Sequence, residues 1–305
     1  MTLNRRHLLA SAGALTATPA LAQPTAWTLM PPIHPEMSGR FPGDVPMIFW
    51  RAMPAVRAMV GGHGPFTFGI DTGFPGLMAV SQEVVAAAGL TPFGQMPAAD
   101  PSGANPVAVP VYQAPSLTLG DMTFRQLIAG GLPLRLPPGS EPLHGILGMG
   151  LFAPHTLDLD FAGRRVGLSD EPLPPPGEGG VTGFAPGGLI EVEVRVGDVP
   201  LRAHLDTGQN RMGLMVPQAA VAGLPTRGEP RRVGQARTVS QTIDLFAVDL
   251  AAPVRFGGLV LPITEAGYPT PVPLANLGGA AFRDARLTLD LGRGRLRVLA
   301  GQPRS

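Results

Sequence analysis

The strongest constraint on the fold of this chain is an internal repeat that covers most of its 305 residues. The segment FTFGIDTG, which ends at Gly73, matches RAHLDTG, which ends at Gly208. Four further blocks recur downstream in the same order, and they match 80–90 with 216–224, 116–124 with 253–261, 145–152 with 275–282, and 155–168 with 285–298. A repeat of this length predicts two copies of one structural unit.

Each copy has the pattern of short β-strands. Leu157, Leu159 and Phe161 alternate with acidic residues, and the corresponding segment 287–291 alternates in the same way. The chain also contains 41 Gly and 36 Pro, which suit turns between strands and disfavour long helices, since Pro costs roughly 3 kcal/mol inside a helix. A hydrophobic share of 44% against 15% charged residues excludes a disordered chain. We therefore predict a mainly β protein with a few short helices, two of them at 80–90 and 216–224.

The repeat and the distribution of Pro and Gly predict five segments. The chain divides into an export signal at 1–22, an extended lead-in at 23–42, an N-terminal lobe at 43–170, a Pro/Gly linker at 171–187 and a C-terminal lobe at 188–305.

The N-terminus has the features of a bacterial export signal. Arg5 and Arg6 precede a weakly apolar run at 8–21, and the small residues Ala20 and Ala22 form a cleavage site. The arginine pair resembles a twin-arginine signal, and an ordinary secretory signal is the alternative. Both predict a periplasmic or secreted protein without a stable membrane span, because the run is shorter than the roughly 20 apolar residues that a span needs.

Composition excludes several classes of function. The chain has no cysteine, which excludes disulfides, cysteine nucleophiles and iron–sulfur sites. Its basic residues are all arginine, they are scattered, and the formal net charge is +1, so no basic segment indicates nucleic-acid binding.

Each copy carries Asp-Thr-Gly directly after an apolar strand, with Asp71 in the first copy and Asp206 in the second. A strand that ends in this way presents a carboxylate at the tip of a loop. If two such loops meet, the carboxylates cannot both ionise, and they share one proton. One member can then take a proton from water while the other gives one to a carbonyl under attack. This is the chemistry of amide hydrolysis without a covalent enzyme intermediate.

At these residues the chain resembles the aspartic peptidases, in the two-lobed form related to pepsin and the retropepsins. The resemblance covers about 43–300 and includes the apolar-Gly elements 146–148 and 277–278. It implies two β-barrel-like lobes related by a pseudo-two-fold axis, a peptide or protein substrate, a monomer, and no metal or organic cofactor. It also implies a catalytic pair, Asp71 and Asp206. The supporting residues that it implies are Thr72 and Thr207, which bond across the axis, and the turn residues Gly73 and Gly208.

Some residues depart from the family's pattern. Phe74 and Gln209 stand where the family usually has Ser, Thr or Ala, and Asn276 stands where an apolar residue is expected. A hydroxyl beside the carboxylate would lower its pKa, so Phe74 predicts activity nearer to neutral pH. The expected hairpin tip over the site, at 100–105, carries no aromatic residue, and Tyr112 lies on the returning strand.

Two hypotheses about the function follow from these residues. The first is an exported aspartic endopeptidase. The alternative is an exported peptide- or ligand-binding protein that keeps the fold without turnover.

Three other motifs have simpler interpretations. The segment 148–153 mimics a dinucleotide-binding fingerprint, but Pro154 and a strand pattern follow it instead of a helix. The acidic residues Asp158 and Asp160 could belong to a metal cluster with His155, but cross-strand pairing with the arginines of 164–165 is the favoured interpretation. His204 is predicted to be an exposed strand histidine, and a role in tuning Asp206 is the alternative.

Overall fold

The structure is a computed structural model that describes residues 35–40, 45–98, 106–132, 139–237, 242–270 and 273–301. The predicted export signal at 1–22 and the predicted hairpin tip at 100–105 lie outside these ranges. Within them, no helix has the length and apolar character required to cross a membrane.

The described residues form 24 strands, two short α-helices and three 3-10 helices. The strands up to residue 170 are β1 (Glu36–Gly39), β2 (Val45–Pro46), β3 (Ile48–Trp50), β4 (Met53–Val60), β5 (His63–Asp71), β6 (Met78–Val80), β7 (Pro92–Ala98), β8 (Val107–Leu119), β9 (Met122–Gly131), β10 (Gly145–Gly148), β11 (Thr156–Asp160) and β12 (Arg165–Ser169). The later strands are β13 (Val181–Gly183), β14 (Glu191–Val196), β15 (Val199–Asp206), β16 (Leu214–Met215), β17 (Thr226–Arg237), β18 (Thr242–Leu250), β19 (Val254–Phe256), β20 (Leu259–Leu261), β21 (Glu265–Tyr268), β22 (Ala275–Gly278), β23 (Ala285–Asp290) and β24 (Arg295–Ala300). The helices are α1 (Gln82–Ala87), α2 (Met149–Phe152) and the 3-10 helices Gln218–Gly223, Gly279–Phe282 and Leu291–Arg293. The prediction of a mainly β protein with few short helices is confirmed.

Two nine-stranded sheets repeat one arrangement of strands. In the first sheet the central order is β4-β5-β10-β6-β9, and in the second it is β14-β15-β22-β16-β21. The strand directions also correspond. In the first sheet β5 is parallel to β10 and antiparallel to β4, and in the second β15 is parallel to β22 and antiparallel to β14. The sequence repeat is therefore a structural repeat as well.

The two helical candidates of the repeat take different forms. The first becomes α1, which begins after Ser81, whose hydroxyl accepts a hydrogen bond from the Val84 N–H at 3.4 Å. It ends before Gly89, whose φ of +60° favours glycine. The second becomes a single 3-10 helix after Pro217, and no side chain caps its first turn.

A third sheet joins strands from both copies. It has six strands in the order β13-β24-β23-β11-β12-β2. At its centre β11 pairs antiparallel with β23, and Asp158 lies opposite Thr288, its own equivalent in the sequence repeat. A residue that faces its own repeat equivalent indicates a local two-fold relation between the copies. The lobe and linker boundaries remain predictions.

The acidic residues of β11 form charge pairs rather than a metal cluster. Asp158 accepts hydrogen bonds from the Arg286 guanidinium at 2.8 Å and from the Thr288 hydroxyl at 2.9 Å, so its partners come from the second copy. Asp160 pairs with Arg165 at 3.1 Å across the predicted turn. In the described ranges, no group of three or more His, Asp or Glu side chains could hold a metal ion.

The main hydrophobic core extends through both copies. Its fully buried side chains include Phe161 from the first copy and Phe282 from the second, with ring centroids 5.8 Å apart. Aromatic pairs at this distance add to the free energy gained by burial. The same core includes Ile70 and Leu205, which directly precede the last residues of β5 and β15, from which the site is built.

Candidate active site

The ends of β5 and β15 position Asp71 and Asp206. The residues before each aspartate are buried, among them Phe68 and Ile70 in the first strand and Leu205 in the second. Each strand lies beside an apolar-Gly strand, and the register places Asp71 opposite Gly148 and Asp206 opposite Gly278. Both carboxylates are thus held at the tips of rigid, packed strands.

The threonines of the two triplets hold the loops together. The Thr72 N–H donates to the Thr207 hydroxyl at 3.1 Å, and the Thr207 N–H donates to the Thr72 hydroxyl at 2.9 Å. Each hydroxyl in turn donates to a carbonyl of the opposite strand, Thr72 to Leu205 at 2.8 Å and Thr207 to Ile70 at 2.7 Å. Both side chains are buried, so these four bonds lie away from competing water.

The glycines of the triplets face the opposite carboxylate. A Cβ atom added to Gly208 would lie 2.3 Å from the carboxyl carbon of Asp71, and one added to Gly73 would lie 2.9 Å from that of Asp206. Any larger residue would therefore displace a carboxylate. Glycine is required here to let the two loops approach one another.

The Asp71 and Asp206 carboxyl groups lie on either side of Gly73, where an added Cβ would be 2.8 Å from Oδ1 of Asp206 and 3.1 Å from Oδ1 of Asp71. Burial raises the pKa of Asp71 well above its usual range, and the negative charge of Asp206 raises it further. The Gly73 N–H donates to Asp71 at 2.8 Å and opposes this rise. The pair can therefore hold one proton between its two members.

The surroundings of Asp206 differ from those of Asp71. One carboxylate oxygen of Asp206 accepts the backbone N–H of Gln209 at 3.1 Å, and the other accepts the Asn276 side-chain amide at 2.7 Å. Asn276 stands out in the sequence only as a departure from the apolar pattern. Its hydrogen bond to Asp206 is visible only in the structure.

The comparison with protein families agrees with this geometry. Residues 56–151 match a family model described as aspartyl protease. The match begins in β4, ends in α2 and includes the triplet that starts at Asp71. A search of curated proteins finds no match. The first copy thus supports a relation to the aspartyl proteases, and the second is linked to it by the repeated sequence and strand order.

Phe74 occupies the position after the first triplet of this aspartyl-protease-like segment. A Cβ atom added to Gly148 would lie 2.6 Å from the Phe74 ring, and one added to Gly76 would lie 2.5 Å from it, so two glycines make room for the ring. Gln209, its counterpart, turns away from Asp206 and donates to the Met212 carbonyl at 2.6 Å. Neither side chain supplies a hydroxyl to its aspartate.

The prediction of an exposed His204 is wrong. His204 is only 7% exposed, because both faces of β15 are covered where the strand approaches Asp206. It lies opposite Asn276 on one side and Glu191 on the other. Burial lowers the pKa of His204, and the charges of Asp206 and Glu191 oppose this shift. The imidazole is therefore neutral at neutral pH.

Tyr112 lies on β8, as predicted, and it is buried. Its hydroxyl accepts a hydrogen bond from Gln82 of α1 at 3.3 Å. Tyr112 is thus a core residue of β8 that contacts α1.

Proposed function

We propose that the protein is an aspartic endopeptidase that hydrolyses peptide bonds with a water molecule activated by Asp71 and Asp206. The observation that carries this proposal is the close approach of two carboxyl groups from the two copies of the repeat, each beside the glycine of the opposite triplet. The raised pKa of Asp71 supports it, since a pair that shares one proton can act as acid and base together.

The proposed reaction gives each aspartate one role. Ionised Asp206 accepts a proton from the attacking water, while protonated Asp71 donates its proton to the oxygen of the scissile carbonyl. The water oxygen bonds to the carbonyl carbon and a neutral gem-diol forms. Collapse of the diol breaks the C–N bond, returns a proton to Asp71, and transfers the proton on Asp206 to the leaving amine.

The setting of the proposed enzyme follows from its sequence. The N-terminal segment favours action in the periplasm or outside the cell, after removal of the signal near Gln23. A monomer is proposed because both aspartates lie on one chain.

The proposed pH range extends toward neutrality. Phe74 gives Asp71 no hydroxyl that would stabilise its ionised form, and burial raises the pKa of Asp71. Catalysis requires the proton on Asp71, so a raised pKa moves the upper limit of activity to higher pH. A rate profile with activity only below about pH 4, near the ordinary pKa of aspartate, contradicts this part of the proposal.

Incubation of the mature protein with a diverse peptide mixture across pH 3–8 tests the function. Cleavage by the wild type and its loss in both Asp71→Asn and Asp206→Asn is the expected result. Equal cleavage by wild type and variants contradicts the proposed mechanism. Peptide binding without cleavage at any pH supports the alternative, a binding protein on the same fold.

A further inference from the structure

The two copies differ in the residues that lie beside their aspartates. In the first copy, the strand positions next to Asp71 hold Gly69 and Ile146, which face one another across β5 and β10. In the second copy, the equivalent positions hold His204 and Asn276, which face one another across β15 and β22. A symmetric fold thus surrounds its two carboxylates with an apolar pair on one side and a polar pair on the other.

The Asn276 amide selects one charge state of Asp206. Its Nδ2 donates to Oδ2 of Asp206 at 2.7 Å, and the Gln209 N–H donates to Oδ1 at 3.1 Å. Hydrogen bonds from N–H groups stabilise a carboxylate more than a neutral carboxyl group. Rotation of the amide by half a turn would instead place its oxygen against the carboxylate and repel it.

His204 supplies a reason for the amide to keep this orientation. The Nε2 atom of His204 and the Oδ1 atom of Asn276 are both buried without a hydrogen-bond partner in the described residues. They belong to side chains on the same face of neighbouring strands. A neutral imidazole protonated at Nε2 is a donor, and the amide oxygen is an acceptor, so the two atoms, which make no direct hydrogen bond, are complementary through one water molecule.

Two charged groups face His204. Glu191 lies opposite it on β14 and forms an ion pair with Arg202, and Asp206 follows on its own strand. The carboxylate of Glu191 is thus already paired, and burial keeps His204 neutral despite both acidic neighbours.

We propose that Asn276, oriented by His204, makes Asp206 the ionised member of the pair and leaves the shared proton on Asp71. The consequence for catalysis rests on the proposed function. This placement of the proton fixes the role of each aspartate, with water held at Asp206 and the substrate carbonyl oxygen at Asp71. Asn276 and His204 are then positioning residues, which act through Asp206.

Carboxyl 13C NMR of the full mature chain, labelled at aspartate, tests the proton placement without any substrate. The Asp71 and Asp206 signals are assigned with the Asp71→Asn and Asp206→Asn variants. At a pH where the pair holds one proton, we expect an ionised shift for Asp206 and a protonated shift for Asp71. In Asn276→Leu we expect the two shifts to converge or exchange. Unchanged shifts in that variant overturn the proposal.

Matched variants separate the roles of the two side chains. His204→Gln keeps an N–H near the position of Nε2 and should preserve the wild-type shifts, whereas His204→Leu should move them toward those of Asn276→Leu. Wild-type shifts in His204→Leu overturn the part assigned to His204. Ile146→Leu, at the equivalent position of the first copy, removes no donor and should change neither signal. Far-UV circular dichroism checks each fold, and Asn276→Ala replaces Asn276→Leu if the latter does not fold.

Enzyme kinetics add a second readout. The Asn276 donor favours the charged form of Asp206 that accepts the proton from water, so its loss should move the acidic limb of kcat/KM to higher pH. An unmoved limb in a variant that still cleaves overturns the proposal. Absence of cleavage by the wild type overturns the proposed function instead, and the NMR result then stands by itself.

Discussion

Thr72 and Thr207 each accept a hydrogen bond from the other's backbone N–H, at 2.9 and 3.1 Å. Each hydroxyl also donates to a carbonyl of the opposite strand. Each of the two hydroxyls thus donates one hydrogen bond and accepts one across the boundary between the two copies. This reciprocal contact sets the separation of Asp71 and Asp206, because each aspartate directly precedes one of the threonines.

Replacement of either threonine by valine should destabilise the protein by roughly 1–3 kcal/mol, since it leaves buried backbone groups without partners. The double variant Thr72→Val/Thr207→Val should cost less than the sum of the single variants, because loss of either hydroxyl loosens the contact between the loops and weakens the two bonds of the other hydroxyl. Urea unfolding measures all three free energies. Thr72→Ser and Thr207→Ser keep the hydroxyl and are the controls. Strictly additive costs would show that the threonines do not act as one network.

Alanine at Gly208 or Gly73 should lower kcat/KM by at least about a hundredfold, because the new methyl group displaces the opposite carboxylate. The effect should be larger at Gly208, where the Cβ would lie 2.3 Å from the Asp71 carboxyl carbon. Gly223→Ala is the matched control, since a Cβ there meets nothing within 4 Å. Wild-type kinetics in Gly208→Ala would contradict the close approach of the loops.

Asp71→Asn should stabilise the protein at neutral pH by a few degrees in Tm, because it removes a carboxyl group whose folded state resists ionisation. The pKa of Asp71 is raised on folding, so its unfavourable contribution grows as the pH rises above about 4, the unfolded pKa, and vanishes below it. Thermal unfolding at pH 3 and pH 7 measures the difference.

Asp244→Asn is the control of opposite sign for that experiment. The hydrogen bonds from Arg232 and Gln235 lower the pKa of Asp244, so its small contribution to stability is present above pH 4 and is lost in acid. A Tm of Asp71→Asn below that of the wild type at pH 7 would contradict the claim that burial raises the pKa of Asp71.

Asp290→Ala should destabilise the protein by about 1–3 kcal/mol, because it leaves buried N–H groups unpaired. Asp290 is only 2% exposed and accepts the backbone N–H groups of Leu173 and Arg293, both at 3.2 Å. Asp244→Ala, which breaks an exposed pair with Arg232, should have little effect on the same unfolding measurement. Equal effects of the two changes would argue against a structural role for Asp290.

The sequence predicts those features that recur or alternate. The repeat anticipates the shared strand order, and alternation at 155–168 anticipates the β11–β12 hairpin, because both signals are local. The sequence does not predict the pairing of Asp158 with Arg286, which depends on how the two copies meet. The sequence does not predict the burial of His204, because alternation marks one buried face, whereas both faces of β15 are covered near Asp206. Asn276 departs from the apolar pattern of the sequence, but its hydrogen bond to Asp206 depends on how the side chains of β22 meet the end of β15.

The most direct test of the account is kcat/KM for one cleaved peptide, measured for the wild type, Asp71→Asn and Asp206→Asn. The account predicts a loss of about a thousandfold or more in each variant, because the pair acts as a unit. Asp244→Asn should retain wild-type activity, and circular dichroism should show that all the proteins are folded. Wild-type cleavage by either aspartate variant would contradict the claim that Asp71 and Asp206 together perform the hydrolysis.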